Sequence, residues 1–146
     1  MHVFLSVSFS RKVDASGDVF AEYRHDLEEL IELIRGAGHT VFCAPENDGW
    51  NIKNLSAIEA YQVDIDGLDK ADVFIGLLES ARPSTGVCME IMRAAMQHKP
   101  SLIITDQGNP VYMIQGMVEA EPFVQHVVCP DQTARLAAIK KQLAKL

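Results

Sequence analysis

Glu90 lies in the run Val87-Cys88-Met89-Glu90-Ile91-Met92, a carboxylate among mostly apolar side chains. Burying an unpaired charge is costly, so such an acid is either desolvated for chemistry or turned outward to a partner. Arg93, at i+3, is the partner for the outward reading. A second acid, Asp64, comes eight residues before the strand that opens at Asp72, and it borders an apolar stripe of Ile58, Tyr61, Ile65 and Leu68. Two carboxylates converging at one strand end would suit chemistry at a sugar-like centre. One would stabilise a cationic carbon as nucleophile or counter-charge, and the other would move a proton.

Other groups gather around the same stretch. Ser84-Thr85-Gly86 sits where a loop opens the helix of Glu90, offering hydroxyls and free backbone N–H groups at the positive end of that helix. This is a cradle for a phosphate or a carboxylate, or else ordinary N-capping by Ser84 or Thr85. Phe9, Arg11 and Trp50 fall in loops. The aromatics suit stacking on a nucleobase and Arg11 suits a phosphate, against the plainer readings of loop packing and solvated charge. The acids Asp64, Asp66, Asp69 and Asp72 lack the remaining ligands of a calcium loop, and no metal or other cofactor is expected. The five histidines have no nucleophile at useful spacing, and there is no GxSxG elbow.

The elements that must position these residues alternate in type. His2–Ser8 reads as a first strand, followed by a polar loop from Phe9 to Asp18 and a helix from Val19 to Arg35 with Leu27, Leu30, Ile31 and Ile34 at helical spacing. Thr40–Cys43 is a second strand, and Ala44–Leu55 is a loop. Ser56 and Glu59 form a capping box that starts a helix ending near Lys70. Val73–Leu78, Leu102–Thr105 and Phe123–Val128 complete five strands. The Glu90 helix runs to about His98, Val111–Val118 is a short apolar segment after a turn at Gln107–Pro110, and Asp131–Leu146 is a last helix. Alternation of this kind predicts an α/β fold: a single-domain, Rossmann-like or flavodoxin-like three-layer sandwich over residues 1–146, with a five-stranded parallel sheet. Ligands of such sheets bind beyond the carboxyl ends of the strands, which gathers the loops Phe9–Asp18, Ala44–Leu55 and Glu79–Gly86 on one edge.

Bulk properties narrow the partners. With 48% hydrophobic and 23% charged residues in 146, the chain is ordinary for one globular domain. A net charge of −7 argues against binding a nucleic-acid polymer, though not against a small anion held locally. No apolar run approaches the roughly 18–20 residues that span a bilayer. Cys43, Cys88 and Cys129 are scattered and odd in number, which reads as a reduced, cytoplasmic protein without membrane association, zinc site or disulfide framework.

The spacing then meets a known pattern. Asp64-Ile65-Asp66-Gly67-Leu68, followed by Ala71-Asp72-Val73 and Ser84-Thr85-Gly86-Val87-Cys88-Met89-Glu90, resembles the nucleoside 2-deoxyribosyltransferase superfamily. Within it, the chain is more similar to the nucleotide N-glycosidases, such as the CMP and hydroxymethyl-CMP hydrolases. The likeness covers Val3 to about Gly116 and includes the opening VFLSVSF, the Gly49-Trp50 loop and the ADVF strand. The resemblance implies that Glu90 is the nucleophile or stabiliser of the anomeric carbon and that Asp64 assists it or the departing base. It implies that Ser84 and Gly86 hold a 5′-phosphate, where free-nucleoside transferases tend to carry an acid. Phe4, where deoxyribose-selective members place tyrosine, implies tolerance of a 2′-hydroxyl. Ser6, Ser8, Phe9, Arg11 and Trp50 are expected to line the substrate.

The chain also departs from the pattern. Ser6, Val7, Ser8 and Ser10 replace a glycine-rich first loop, and Arg11 stands one step beyond the position that follows the loop phenylalanine. Val111 aligns with a polar residue that reaches into a neighbouring subunit's site, with Asn109 as its substitute. Ile91 follows Glu90 where a glycine is usual.

The implied activity is hydrolysis of a nucleoside 5′-monophosphate to a free base, a pyrimidine such as cytosine, and a pentose 5-phosphate. The resemblance further implies a homodimer with shared active sites. The alternatives are base exchange by a nucleoside (deoxy)ribosyltransferase and a catalytically silent nucleotide-binding module. A flavodoxin-like or response-regulator-like domain shares the architecture without a strand-end phospho-acceptor to support it.

Overall fold

Alternating apolar residues in short runs, each followed by an amphipathic helix, give five parallel strands and six helices. A computed structural model describes residues 1–146. Strands β1 (His2–Ser6), β2 (Thr40–Phe42), β3 (Val73–Leu78), β4 (Ser101–Thr105) and β5 (Val124–Val128) lie in the order β2-β1-β3-β4-β5. The chain leaves β1 toward one edge and returns past it to β3, so the strand order reverses at β1 and β3. Ligand crevices of such sheets open there.

Two apolar clusters cover the sheet. Val3, Leu5 and Val7 face α1 (Ala21–Gly36) and α6 (Gln132–Leu143), whereas Phe4 and Phe74 point to the opposite face. That second face is covered by α3 (Ala57–Lys70), α4 (Thr85–Met96) and α5 (Tyr112–Ala120). The period of two along each strand produces this division. Register pairs Phe4 with Phe74 and Ser6 with Gly76 across β1 and β3. Gly67 permits a close approach of α3, because a Cβ there would stand 2.9 Å from the Phe42 ring.

Several predicted boundaries shift. The expected loop Ala44–Leu55 contains a short helix α2 (Ala44–Asn47) and a 3₁₀ turn, Ile52–Asn54, because Pro45 opens a helical turn and Asn51 caps the next one through Lys53 N. The apolar segment Val111–Val118 is the helix α5. The first strand ends at Ser6 rather than Ser8, and α1 starts at Ala21 rather than Val19, since Val19 N is bonded to the Trp50 carbonyl at 2.9 Å. Ser56 and Glu59 do form the capping box of α3. Ile58 and Tyr61, expected on the buried stripe of α3, are exposed, and Leu68 is that helix's one fully buried residue. No helix is long and apolar enough to cross a membrane.

Candidate active site

Strand β1 delivers a hydroxyl and α4 a carboxylate to the same point. Ser6 follows Phe4 by two residues and shares its face of the sheet, pointing toward α4. Its Oγ donates a hydrogen bond to Glu90 Oε2. Ser6 is 2% exposed and Glu90 half-buried. Ser84 caps helix α4, its Oγ accepting from Val87 N at 3.4 Å, and this places Glu90 in the second turn beside Ile91, which is locked into the core. Arg93 does not pair with Glu90. It forms an ion pair with Asp69 at 2.9 Å, and Gln97 also donates to Asp69 at 2.7 Å. Glu90 is therefore left without a counter-ion.

Asp64 comes to this point from α3. Burial, reinforced by the negative charge of Asp48, pushes its carboxyl up to about 6. Burial likewise pushes Glu90 up to about 7; the Ser6 hydrogen bond opposes the rise and ionised Asp64 adds to it. Cys43, at the end of β2, feels both carboxylates, and burial drives its thiol far above the usual range, so it supplies no thiolate. The pair of carboxyls titrating near neutrality is what acid–base work at a glycosidic bond requires.

Asp48, which sequence reasoning missed, is 6% exposed. Asn47 Nδ2 donates to its Oδ1 at 3.0 Å, and Asn54 Nδ2 fixes its carbonyl at 2.8 Å. Gly49 and Trp50 follow with φ of 68° and 63°, so two successive left-handed residues turn the chain immediately after this acid. Trp50 is a non-glycine residue in a conformation that costs about 1 kcal/mol or more. The run Asn47-Asp48-Gly49 signals a turn, and a buried acid within it leaves no periodic trace.

The remaining expected site residues fall into three groups. Phe4 is a core residue: 1% exposed and stacked between Phe42 and Phe74 at centroid distances of 5.1 and 5.9 Å, it offers a ligand no surface. Trp50 packs against the core, and the Arg24 guanidinium stands 4.8 Å over one face of its ring. Ser8, Phe9 and Arg11 lie where β1 leads into the first loop. Ser8 is buried and its carbonyl accepts from Tyr23 Oη at 2.7 Å. Phe9 is half-buried. Arg11 donates to the carbonyls of Arg82 and Pro83 at 2.9 and 3.1 Å, the two residues immediately before Ser84. Lys12 adds an ion pair to Glu79 at 2.5 Å, so the first loop is strapped to the loop that carries Ser84 and Gly86. Gly86 is exposed at the head of α4, and Asn109 is exposed in the turn before α5. The acids Asp66, Asp69 and Asp72 do not join Asp64; Asp72 Oδ2 instead accepts from His2 N at 2.8 Å.

A groove of about 880 Å³ lies apart from the carboxylates, between α4 and α5, lined by Met92, Met96, His98, Tyr112 and Met113 among others. Three solved structures share the fold. BcmB, a CMP N-glycosidase of Clostridium botulinum, superposes with a TM-score of 0.72 at 18% identity over 97% of this chain and 99% of its own. BlsM gives 0.79 at 23% identity over 98% and 89%. A 2-deoxyribosyltransferase from Bacillus psychrosaccharolyticus gives 0.65 at 17% identity over 98% and 96%. No curated protein matches the sequence. The sequence profile of the nucleoside 2-deoxyribosyltransferases matches residues 15–142, and the chain belongs to that family.

Proposed function

We propose that the protein hydrolyses the N-glycosidic bond of a nucleoside 5′-monophosphate, releasing a free base, a pyrimidine such as cytosine, and a pentose 5-phosphate. The observation that carries this reading is the pair Glu90 and Asp64, two half-buried carboxyls pushed to about 7 and about 6 at the carboxyl end of β1 and β3. Ionised Glu90 sits beneath the anomeric carbon and forms the new C–O bond as the C–N bond breaks. The C–N electron pair leaves with the base, which takes its proton from neutral Asp64. Asp64, now ionised, then removes a proton from water. The resulting hydroxide attacks the anomeric carbon, and Glu90 departs as a carboxylate.

Selection of a 5′-monophosphate is supported by the head of α4. Ser84 and Gly86 present a hydroxyl and unpaired amides there, with no carboxylate among them to repel phosphate. The Arg11 charge stands beside this cradle, held on the carbonyls that precede Ser84. A second copy of the chain is read as completing the site, with Asn109 as its contribution. Support comes from the apolar side chains of Met89, Met96, Tyr112 and Met113, all exposed on α4 and α5.

Base release from a panel of ribo- and deoxyribonucleoside 5′-monophosphates, followed by chromatography, tests the reading. Release that disappears in Glu90→Ala with the fold intact supports it, and wild-type turnover in that variant ends it. Transfer of the sugar to an added acceptor base, giving a new nucleoside, would assign the transferase reaction instead. Thermal stabilisation by a nucleotide without any base release would assign a silent binder.

A further inference from the structure

We infer that Ser6 is the positioning residue of the nucleophile: its hydroxyl pins Glu90 Oε2 and leaves Oε1 as the oxygen presented to the anomeric carbon. This rests on the hydrolase reading and gives Ser6 a role toward the protein's own glutamate in place of the substrate contact expected from the sequence. Three features of the fold lead to it.

The first is where the hydroxyl stands. Ser6 is the last residue of β1 and lies on the face that Phe4 shares with Phe74, so the strand itself aims the side chain at α4. The second is the closeness of the helix. Gly76 is the register partner of Ser6 on β3, and a Cβ there would meet Phe74 Cε1 at 2.9 Å and Ile91 Cγ1 at 3.5 Å. A glycine opposite a serine lets α4 settle onto the sheet beside Ile91, bringing the neighbouring Glu90 carboxylate down to a side chain as short as serine. The third is the lack of any competitor. Arg93 is held by Asp69, so Ser6 is the donor the chain offers Glu90. A serine only 2% exposed does not turn to bulk water.

The chemical consequence follows from the glutamate's freedom. Its terminal torsion is broad, and a carboxylate that rotates freely spends little time with a lone pair in line for attack. With Oε2 held, the Oε1 lone pair forms the bond to the anomeric carbon, the C–N pair leaves with the base, and Oε2 becomes the carbonyl oxygen of the glycosyl ester. The Ser6 hydroxyl keeps donating to that oxygen. When water displaces the ester, charge returns to the carboxylate and the same hydrogen bond stabilises it.

The test is Ser6→Ala, with Ser6→Cys as a size-matched variant that keeps a weak donor. In Ser6→Ala, kcat on the best nucleotide falls about 10- to 100-fold while KM stays within about threefold, as expected for loss of a hydrogen bond to a charged group that orients rather than binds. The limb of kcat/KM near pH 7, set by Glu90, moves to higher pH, because removing the donor makes the Glu90 carboxylate harder to form. Ser6→Cys falls between the two, and it decides the matter if the alanine variant does not fold. A KM rise with unchanged kcat would make Ser6 a substrate contact and overturn the inference, as would an unmoved limb near pH 7. If wild-type protein releases no base from any nucleotide, the hydrolase reading has failed. The Ser6 inference is then read by carbon NMR of the Glu90 carboxyl, whose titration must move upward in Ser6→Ala; an unmoved titration overturns it.

Discussion

Ionised Asp64 on α3 raises the carboxyl of Glu90 on α4, so the two acids titrate as a pair with apparent values of about 6 and about 7. The proposed chemistry needs one proton on this pair. Glu90 is the weaker acid, so that proton rests mainly on Glu90, and the productive arrangement, Glu90 ionised to attack and Asp64 protonated to release the base, is the minor tautomer. Below about pH 6 both are protonated and above about pH 7 both are ionised. The kcat/KM profile is therefore expected to be a bell with its maximum between those values. Asp64→Asn should remove the alkaline limb and leave a single acid limb set by Glu90, which falls below about 7 because Glu90 loses a neighbouring negative charge. A flat profile from pH 5 to 9 in the wild type would rule out the pair as acid and base.

The same titration predicts that the site destabilises the fold. The folded carboxyl of Glu90 lies at about 7, above its ordinary 4.5, so the native state binds more protons than the unfolded chain between these values. Its contribution to stability is complete below pH 4.5 and is lost as pH rises through about 7. Glu90→Gln keeps an acceptor for Ser6 and carries no charge. At pH 8 it should be more stable than wild type by on the order of a few kcal/mol, visible as a Tm several degrees higher. At pH 4 the two should melt together. Turnover should drop by roughly 10³-fold or more in the same protein.

Asp48 offers a separate handle on the proton. Its charge is the second cause, after burial, of the raised Asp64 carboxyl. Asp48→Asn preserves size and an oxygen to accept from Asn47, so the loop that ends in Gly49 and Trp50 should keep its shape. With that charge removed, Asp64 titrates lower and the acid limb of the kcat/KM bell shifts to lower pH. The pH profile of this variant measures the effect directly. An acid limb that stays in place would mean that solvent screens the two carboxylates from each other.

Much of this arrangement was legible in the chain, and the exceptions have physical reasons. The parallel sheet followed from apolar runs alternating with helical periodicity, and the capping box at Ser56 and Glu59 fixed the start of α3. Helix α5 was obscured because Tyr112 and Met113 are exposed and Gly116 interrupts the pattern, leaving Ile114 as its one fully buried residue. Phe4 and Trp50 are aromatic in regions near the strand ends, but type alone does not separate a stacking platform from a core ring. The partners that place Phe4 in the core, Phe42 and Phe74, are distant in sequence, and so is Arg24, which stands over the Trp50 ring. Asp48 stayed hidden for the same reason: its burial is created by Asn47, Asn54 and the fold of the loop, and no local periodicity records it.

The exposed apolar face gives the last expectation. Tyr112 is 87% exposed, Met96 75% and Met113 70%, and with Met92 they line the groove between α4 and α5; Met89, also exposed, lies on the same helix α4. Monomeric proteins rarely leave so many large apolar side chains together, and methionines pack readily against an irregular partner surface. Helix α4 carries this face on one side and Glu90 on another, so a second copy seated here would be coupled to the site through that helix. Tyr112→Glu places a charge in the centre of that contact while disturbing almost no packing within the chain. It should convert a dimer to a monomer in sedimentation at micromolar concentration, leave the melting of the isolated chain near that of wild type, and reduce turnover at least about tenfold. A wild-type protein that sediments as a monomer yet turns over fully would show that one chain contains the whole site.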